Sequence, residues 1–297
     1  TGAAGYIAGI NLPALRERYD LVLLDARAAS RAGAMVEGVT IYDLMVDAAN
    51  GYHPSDRLRQ LFDGVDAVFH CAYVHSDHFA LDGYEQERAN VDLAYLIYRL
   101  AYDAGVRRVV VCSSNHAADW YEGPLRAGRM DLLGPGDPPY SDNWYGWAKV
   151  AYEQMGFLFA AGALGGREGA MPGRRLEVVQ LRIGAPRPIV AARFQGDPVG
   201  YRRDLGAWIS DRDFQQLVVK SIETPAIENE HGVPFQIFYG ISDNTRAFWS
   251  IQNARRVIGY APQDDSEATY ASDIQAQLTS AGHTGRLAAG PGTAGRG

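Results

Sequence analysis

The sequence predicts an α/β fold: a doubly wound parallel sheet with a small C-terminal substrate-binding region. Two observations carry this. Over residues 1–185, short β-branched apolar runs alternate with stretches of helical period, which is the order of strand and crossover helix. The runs are also apolar throughout rather than at every second position, as strands covered by helices on both faces must be. Strands are expected at 21–24, 39–42, 67–69, 109–112 and 176–181, with helices at 10–18, 90–104 and 145–160. After Pro186 the pattern turns irregular and rich in Arg, Gly and Pro. It then gives a helix near 211–223, a strand at 234–240 returning to the sheet, and a helix near 245–258. The first domain is therefore read as 1–185 plus that returning strand. Residues 186–233 and 241–279 form the smaller region, and the Gly/Ala-rich stretch 280–297 reads as a disordered tail.

The balance of 28 Lys and Arg against 35 Asp and Glu gives 297 residues a formal charge of −7. Clustered cations are absent, which argues against nucleic-acid and anionic-membrane partners. Hydrophobic residues at 47% exclude a wholly disordered chain. The two cysteines, Cys71 and Cys112, each fall in a strand-like run, so a disulfide framework is not expected and a reducing compartment is. No apolar run reaches the roughly 18 residues of a membrane span, and no signal peptide is recognised. These features read as a soluble cytoplasmic protein, with a homo-oligomer compatible with the reading. Nothing repeats internally.

Gly2, Gly5 and Ala8 are spaced like a dinucleotide loop opening a helix: Gly2 for the turn, Gly5 for close backbone approach to a pyrophosphate, Ala8 for helix–strand packing. Taken alone, such a Gly/Ala-rich loop also occurs by chance. Asp25 supports it. About twenty residues on, at the end of a strand, its carboxylate can accept hydrogen bonds from the adenosine ribose and repel a 2′-phosphate, favouring NAD over NADP. Arg27 is a partial counter-signal that also reads as a solvated Arg. Such a loop needs a strand before it, and residues forming a central first strand are expected upstream of Thr1.

Tyr145 and Lys149 lie four apart at the start of an expected helix, so the ammonium can favour the phenolate of a general base. Upstream, the buried run Val109-Val-Val-Cys-Ser113-Ser114 ends in hydroxyls suited to holding a carbonyl or alcohol oxygen. In this order, the glycine loop, Asp25, Ser114 and the Tyr145/Lys149 pair resemble the extended short-chain dehydrogenase/reductase (NAD-dependent epimerase/dehydratase) superfamily. That resemblance implies a Rossmann-type fold, NAD, and chemistry at sugar carbons.

Cys112-Ser-Ser-Asn-His116, Leu181-Arg-Ile-Gly184, Arg203 with Ala207-Trp208-Ile-Ser210, Tyr239-Gly-Ile-Ser-Asp-Asn244, Phe248-Trp249 and Gly259-Tyr-Ala-Pro-Gln-Asp264 are similar to uronate dehydrogenases, up to about Glu267. The resemblance implies Ser114, Tyr145 and Lys149 as catalytic residues. It implies substrate contacts from His75, Ser114, Asn115, His116, Ala185 and Arg203, the last gripping a carboxylate. It implies cofactor contacts from Gly2, Gly5, Tyr6, Ile7, Asp25, Asp43, Leu44, Cys71, Ala72, Tyr73, Asn90, Tyr145, Lys149 and Ile183. Arg203 suits a carboxylate on chemical grounds, because its fork binds bidentately, but it also reads as an exposed Arg beside Arg202. Tyr6, His75 and Ala185 depart from the family pattern, and the loops at 48–55, 122–137 and 186–200 are enlarged, so the substrate is expected to differ while the reaction class is retained.

His70, Cys71, His75 and His78 lie close in sequence, yet no second ligand cluster with zinc spacing accompanies them, and no metal is expected. Trp144, Tyr145, Trp147 and Tyr152 read as pocket wall and helix packing. The expected activity is NAD-dependent oxidation of C1 of a uronic acid or related sugar to its lactone. The alternatives are a nucleotide-sugar epimerase or dehydratase with tightly bound NAD, and a non-enzymatic NAD-binding protein.

Overall fold

The computed structural model describes residues 1–49, 52–75, 80–164 and 174–282. In chain order the elements that matter are α1 (Tyr6–Arg16), β1 (Leu23–Asp25), β2 (Val39–Ile41), α2 (Leu44–Ala48), α3 (Asp56–Gln60), β3 (Ala67–His70), α4 (Gly83–Asp103) and β4 (Arg108–Ser114). A 3₁₀ helix (Asn115–Tyr121) runs into α5 (Glu122–Arg126), followed by α6 (Trp144–Ala161), β5 (Glu177–Ile183), α7 (Pro198–Ala207), α8 (Asp211–Glu223), β6 (Phe235–Gly240) and α9 (Gln252–Ile258).

All strand pairings are parallel. β3, β4, β5 and β6 form one sheet in that order, and β1 pairs with β2. Successive side chains of β4 enter opposite cores, as the pleat requires. Val109 and Val111 pack with Leu93, Ile97 and Leu100 of α4 and with Tyr152 and Phe159 of α6. Val110 packs with Phe214, Leu217 and Val218 of α8. This is the doubly wound architecture that the unbroken apolar runs imply, with each fully buried Val or Leu stabilising by roughly 1.5–3 kcal/mol.

Between β1 and β3 lies a cavity of about 670 Å³, lined by Leu23 and Leu24 on one side and Val68 and Phe69 on the other. Thr1 sits at its end in ladder fashion. Its amine donates to the Phe69 carbonyl at 2.9 Å, and the Cys71 N–H donates to the Thr1 carbonyl at 3.1 Å. The Ala3 N–H then donates to the Leu24 carbonyl at 3.1 Å, so residues 1–3 tie the β1 side to the β3 side.

The helix expected at 10–18 instead spans Tyr6–Arg16, starting at its Gly5 cap, and the one expected from 90 starts at Gly83; two further expectations need correcting. The helix expected at 245–258 begins only at Gln252, because Trp249 instead bridges in parallel to Leu133. The Leu133 N–H donates to the Phe248 carbonyl and the Ser250 N–H to the Leu133 carbonyl, each at 2.8 Å, which holds 248–250 extended. Of the expected tail, Thr279–Ala281 forms a 3₁₀ turn, and 283–297 lie outside the described residues. Among the described residues no helix is long and apolar enough to cross a membrane.

Candidate active site

The turn before α1 is built so that backbone can meet a ligand. Gly2 has φ +70°, and a Cβ there would lie 2.6 Å from the Ala72 nitrogen, so only glycine fits. A Cβ on Gly5 would lie 2.9 Å from the Gly2 carbonyl oxygen, which itself accepts the Gly5 N–H. Gly5 is the N-cap of α1 and offers no side-chain cap, leaving first-turn N–H groups and the positive end of the helix dipole for an anion. Tyr6 and Ile7 open the helix. Ile7 packs on the core, and the Tyr6 hydroxyl donates to the Pro186 carbonyl at 2.6 Å, joining the loop region to the segment after β5.

Asp25 ends β1. Its two oxygens accept the Ala4 N–H at 3.0 Å and the Arg27 N–H at 3.1 Å, so the carboxylate is fixed beside the glycine turn. Asp43 caps α2 by accepting the Met45 N–H at 3.0 Å, with buried Leu44 next to it. Cys71, Ala72 and Tyr73 continue from β3 past Gly2. Asn90 clamps this loop by accepting the Val74 N–H and donating to the Val74 carbonyl, both at 2.8 Å. The Tyr73 hydroxyl donates to Glu87 at 2.6 Å. A glycine cradle, an uncapped helix N-terminus and a carboxylate at the next strand end fit NAD.

Ser114 is the last residue of β4, in register with Ile183 of β5. Both are buried. The Ser114 hydroxyl hydrogen-bonds the Tyr145 phenol and contacts the Asn115 side-chain oxygen at 3.3 Å. Asn143 caps α6 by accepting the Gly146 N–H at 2.9 Å, which fixes where Tyr145 emerges. A Cβ on Gly146 would lie 2.0 Å from the His116 carbonyl oxygen, so α6 starts directly against the 3₁₀ helix. The Tyr145 ring meets Tyr73 and His116 edge-on, at centroid distances of 5.4 and 5.6 Å.

Lys149 lies one turn along α6, buried, and donates to the Cys112 carbonyl at 3.1 Å. Its ammonium is 4.9, 5.2 and 4.4 Å from the ring centres of Tyr73, Tyr145 and Tyr152. Burial pushes the Lys149 pKa down to about 8. Burial also pushes the Tyr145 phenol up to about 12, with the Ser114 hydrogen bond acting the other way and Glu87 reinforcing the rise.

His116 joins its Nδ1 to Asp119 at 2.5 Å. Asn143 donates to the same Asp119 oxygen at 3.0 Å. Arg203, on α7, is brought to this group because the end of β5 holds the end of α7. The Ala185 N–H donates to the Ala207 carbonyl at 2.7 Å, and a Cβ on Gly184 would lie 2.0 Å from that oxygen. Arg203 is not an exposed loop residue. Its side chain is 15% exposed, its Nε donates to Glu122 at 2.8 Å, and it lies over the Trp249 ring. His75 is exposed after β3.

Several site residues carry no sequence motif. Asp119 stands three residues after His116 across a kink at Ala118, so no regular spacing marks it. Glu87 and Glu122 give no local signal, and Trp249 stands in the Phe248-Trp249 motif without a site role read from it. Beneath the site, buried Glu153 of α6 pairs bidentately with Arg182 of β5 at 2.8 and 2.7 Å and accepts the Ser113 hydroxyl at 2.7 Å, fixing α6 to the strand ends. Cys71 and Cys112 are free thiols with sulfurs 3.4 Å apart. His70 is buried with Nδ1 on the Thr1 hydroxyl at 2.7 Å. Among the described residues no three His, Cys, Asp or Glu side chains are grouped to hold a metal ion; His78 lies outside them.

Known proteins resemble the chain in sequence and fold. The model of the NAD dependent epimerase/dehydratase family matches residues 1–164. The chain is 30% identical to NAD-dependent glucose-6-phosphate dehydrogenase of Haloferax volcanii, over 90% of this chain and 92% of that protein. It is equally 30% identical to uronate dehydrogenase of Pseudomonas putida, over 93% and 87%. The crystal structure of uronate dehydrogenase from Agrobacterium tumefaciens shares the fold, with a TM-score of 0.65 at 24% identity, covering 92% of this chain and 86% of that one. The chain is an enzyme of the NAD dependent epimerase/dehydratase family, with NAD as its cofactor.

Proposed function

We propose that this enzyme oxidises the C1 hydroxyl of a free cyclic sugar to the lactone. The observation that carries the reading is the Ser114–Tyr145 hydrogen bond with the Lys149 cation buried against the Tyr145 ring. Tyr145 as phenolate accepts the C1 hydroxyl proton as the C1–O double bond forms, and Ser114 donates to that oxygen and holds it in place. Lys149 supplies positive charge against the phenolate, and Asn115 and His116 border the sugar. NAD, when bound, supplies the acceptor for the hydride that leaves C1. The Gly2–Gly5 turn and Asp25 hold its pyrophosphate and ribose.

The relatives' names span a sugar phosphate, sugar acids and, in L-arabinose 1-dehydrogenase of Haloferax volcanii at 27% identity, a neutral pentose. This supports sugar oxidation as the shared chemistry, with the sugar set by each pocket. The test is an absorbance assay of NADH formation from free NAD with free aldoses and uronic acids. Sugar-dependent NADH supports the reading. Tightly retained NAD with no net NADH from any sugar moves the assignment to an epimerase or dehydratase.

A further inference from the structure

The charge around Arg203 is already balanced by the chain itself. Its Nε donates to Glu122 Oε1 at 2.8 Å, and its two Nη atoms lie 3.7 Å from Asp119 Oδ1 and Asp204 Oδ1. The other Glu122 oxygen takes Arg126 at 2.6 Å, and the other Asp204 oxygen takes Arg187 at 2.7 Å. Three carboxylates thus face three guanidiniums, and all three carboxylates are largely buried, at 9–17% exposure. Burial alone would raise the Asp119 pKa, but the His116 hydrogen bond and the Arg203 charge bring it below the usual carboxylate range. It is therefore an anion beside the catalytic Tyr145, reached through His116.

A substrate carboxylate reaching the Nη atoms of Arg203 would lie against Asp119 and Asp204, beside a guanidinium whose charge Glu122 already balances. A hydroxyl meets no such penalty. Asp119 Oδ1 is buried and has no hydrogen-bond partner, while the facing Arg203 Nη2 is 3.7 Å away, beyond hydrogen-bond length. One hydroxyl placed between them donates to the carboxylate oxygen and accepts from the guanidinium, satisfying both. A carboxylate or phosphate dianion has no proton to donate to Asp119.

Resting on the sugar-oxidation reading, we infer that the substrate is an uncharged aldose, with the Glu122–Arg203–Asp119 group binding a ring or exocyclic hydroxyl where a sugar acid would place its carboxylate. Arg203 is then a hydroxyl donor held in place by Glu122, and Asp119 a hydroxyl acceptor held by His116 and Asn143. Specificity against acids comes from Glu122 and Asp119 as repulsive elements.

The experiment compares matched pairs with the unmodified enzyme: galactose with galacturonate, glucose with glucuronate, and glucose with its 6-phosphate, each followed by NADH absorbance. The neutral member should have the higher kcat/KM, by at least about tenfold, or about 1.4 kcal/mol. Glu122→Gln removes one of the negative charges around Arg203 while keeping an acceptor for its Nε, and should move the acid-to-neutral ratio of kcat/KM toward the acid by about tenfold. Preference of the unmodified enzyme for the acid or the phosphate would overturn the inference. An unchanged ratio in Glu122→Gln would also overturn it. Turnover with no sugar of either charge would overturn the oxidation reading itself, and this inference with it.

Discussion

The Lys149 ammonium lies 5.2 Å from the centre of the Tyr145 ring, one helical turn along α6, and both meet the carboxyl end of β4 at Cys112 and Ser114. Burial acts in opposite directions on the two. It holds the Tyr145 phenol protonated up to about 12 and brings Lys149 down to about 8, so each group resists the charged form that the proposed reaction uses. The site therefore carries an electrostatic cost that folding must offset elsewhere, as catalytic sites do.

Lys149 gives the first prediction. Its folded pKa of about 8 is below the ordinary lysine value, so the native state binds fewer protons than the unfolded chain between pH 8 and about 10.4. The charge-burial cost is full below pH 8 and fades as pH rises through that window. Lys149→Met should abolish most turnover yet leave thermal stability at pH 7 equal or higher, by roughly 3 kcal/mol at most. Its advantage over the parent should shrink between pH 8 and 10. A variant clearly less stable at pH 7 would show that the Cys112 carbonyl bond outweighs the buried charge.

Tyr145→Phe keeps the ring contacts with Tyr73 and His116 and removes the proposed proton acceptor. Turnover should fall by about 10²- to 10⁴-fold with NAD binding retained. In the parent the chemical step should speed up as pH rises and Tyr145 deprotonates, and this acid limb should vanish in the variant. Retained activity would move the base to His116, whose ring is 5.6 Å from that of Tyr145.

Gly146→Ala tests the seat of α6. The new methyl would meet the His116 carbonyl oxygen at 2.0 Å and Ser141 Oγ at 2.1 Å, and the carbonyl belongs to backbone that cannot rotate away. Helix start and 3₁₀ helix must separate, at a cost of about 1–3 kcal/mol or more. Turnover should drop more than tenfold, with a smaller change in the KM for NAD, because the glycine cradle lies elsewhere. Unchanged turnover would mean that α6 can shift without moving the Tyr145 hydroxyl.

Much of this was legible because it is local. Runs such as 109–112 are apolar at every position since Val109 and Val111 enter one core and Val110 the other. The glycine turn and the Tyr145/Lys149 spacing depend on neighbours in the chain. Charge pairing does not. Glu122 and Arg203 are 81 positions apart and meet only because the end of α7 hydrogen-bonds to Ala185 after β5, so sequence shows the cation without its partners. The 245–251 stretch failed for the same reason: Leu133, remote in sequence, overrides its helical period.

Cofactor choice rests on Asp25. Its oxygens already accept two backbone N–H groups, from Ala4 in the glycine turn and from Arg27. The carboxylate is therefore held rigidly, and in the proposed NAD position it cannot swing away from a 2′-phosphate. NAD should be preferred over NADP, and Asp25→Ala should narrow the gap. That variant also releases the Ala4 N–H, so its NAD affinity should fall. Asp25→Asn removes the charge and keeps an acceptor for the turn, so the NAD-to-NADP ratio of kcat/KM should shrink by about tenfold, or about 1.4 kcal/mol, with less loss on NAD itself. Steady-state kinetics with both cofactors on all three proteins measures this. Equal use of NAD and NADP by the parent would show that the Arg27 side chain, two residues on, outweighs the carboxylate.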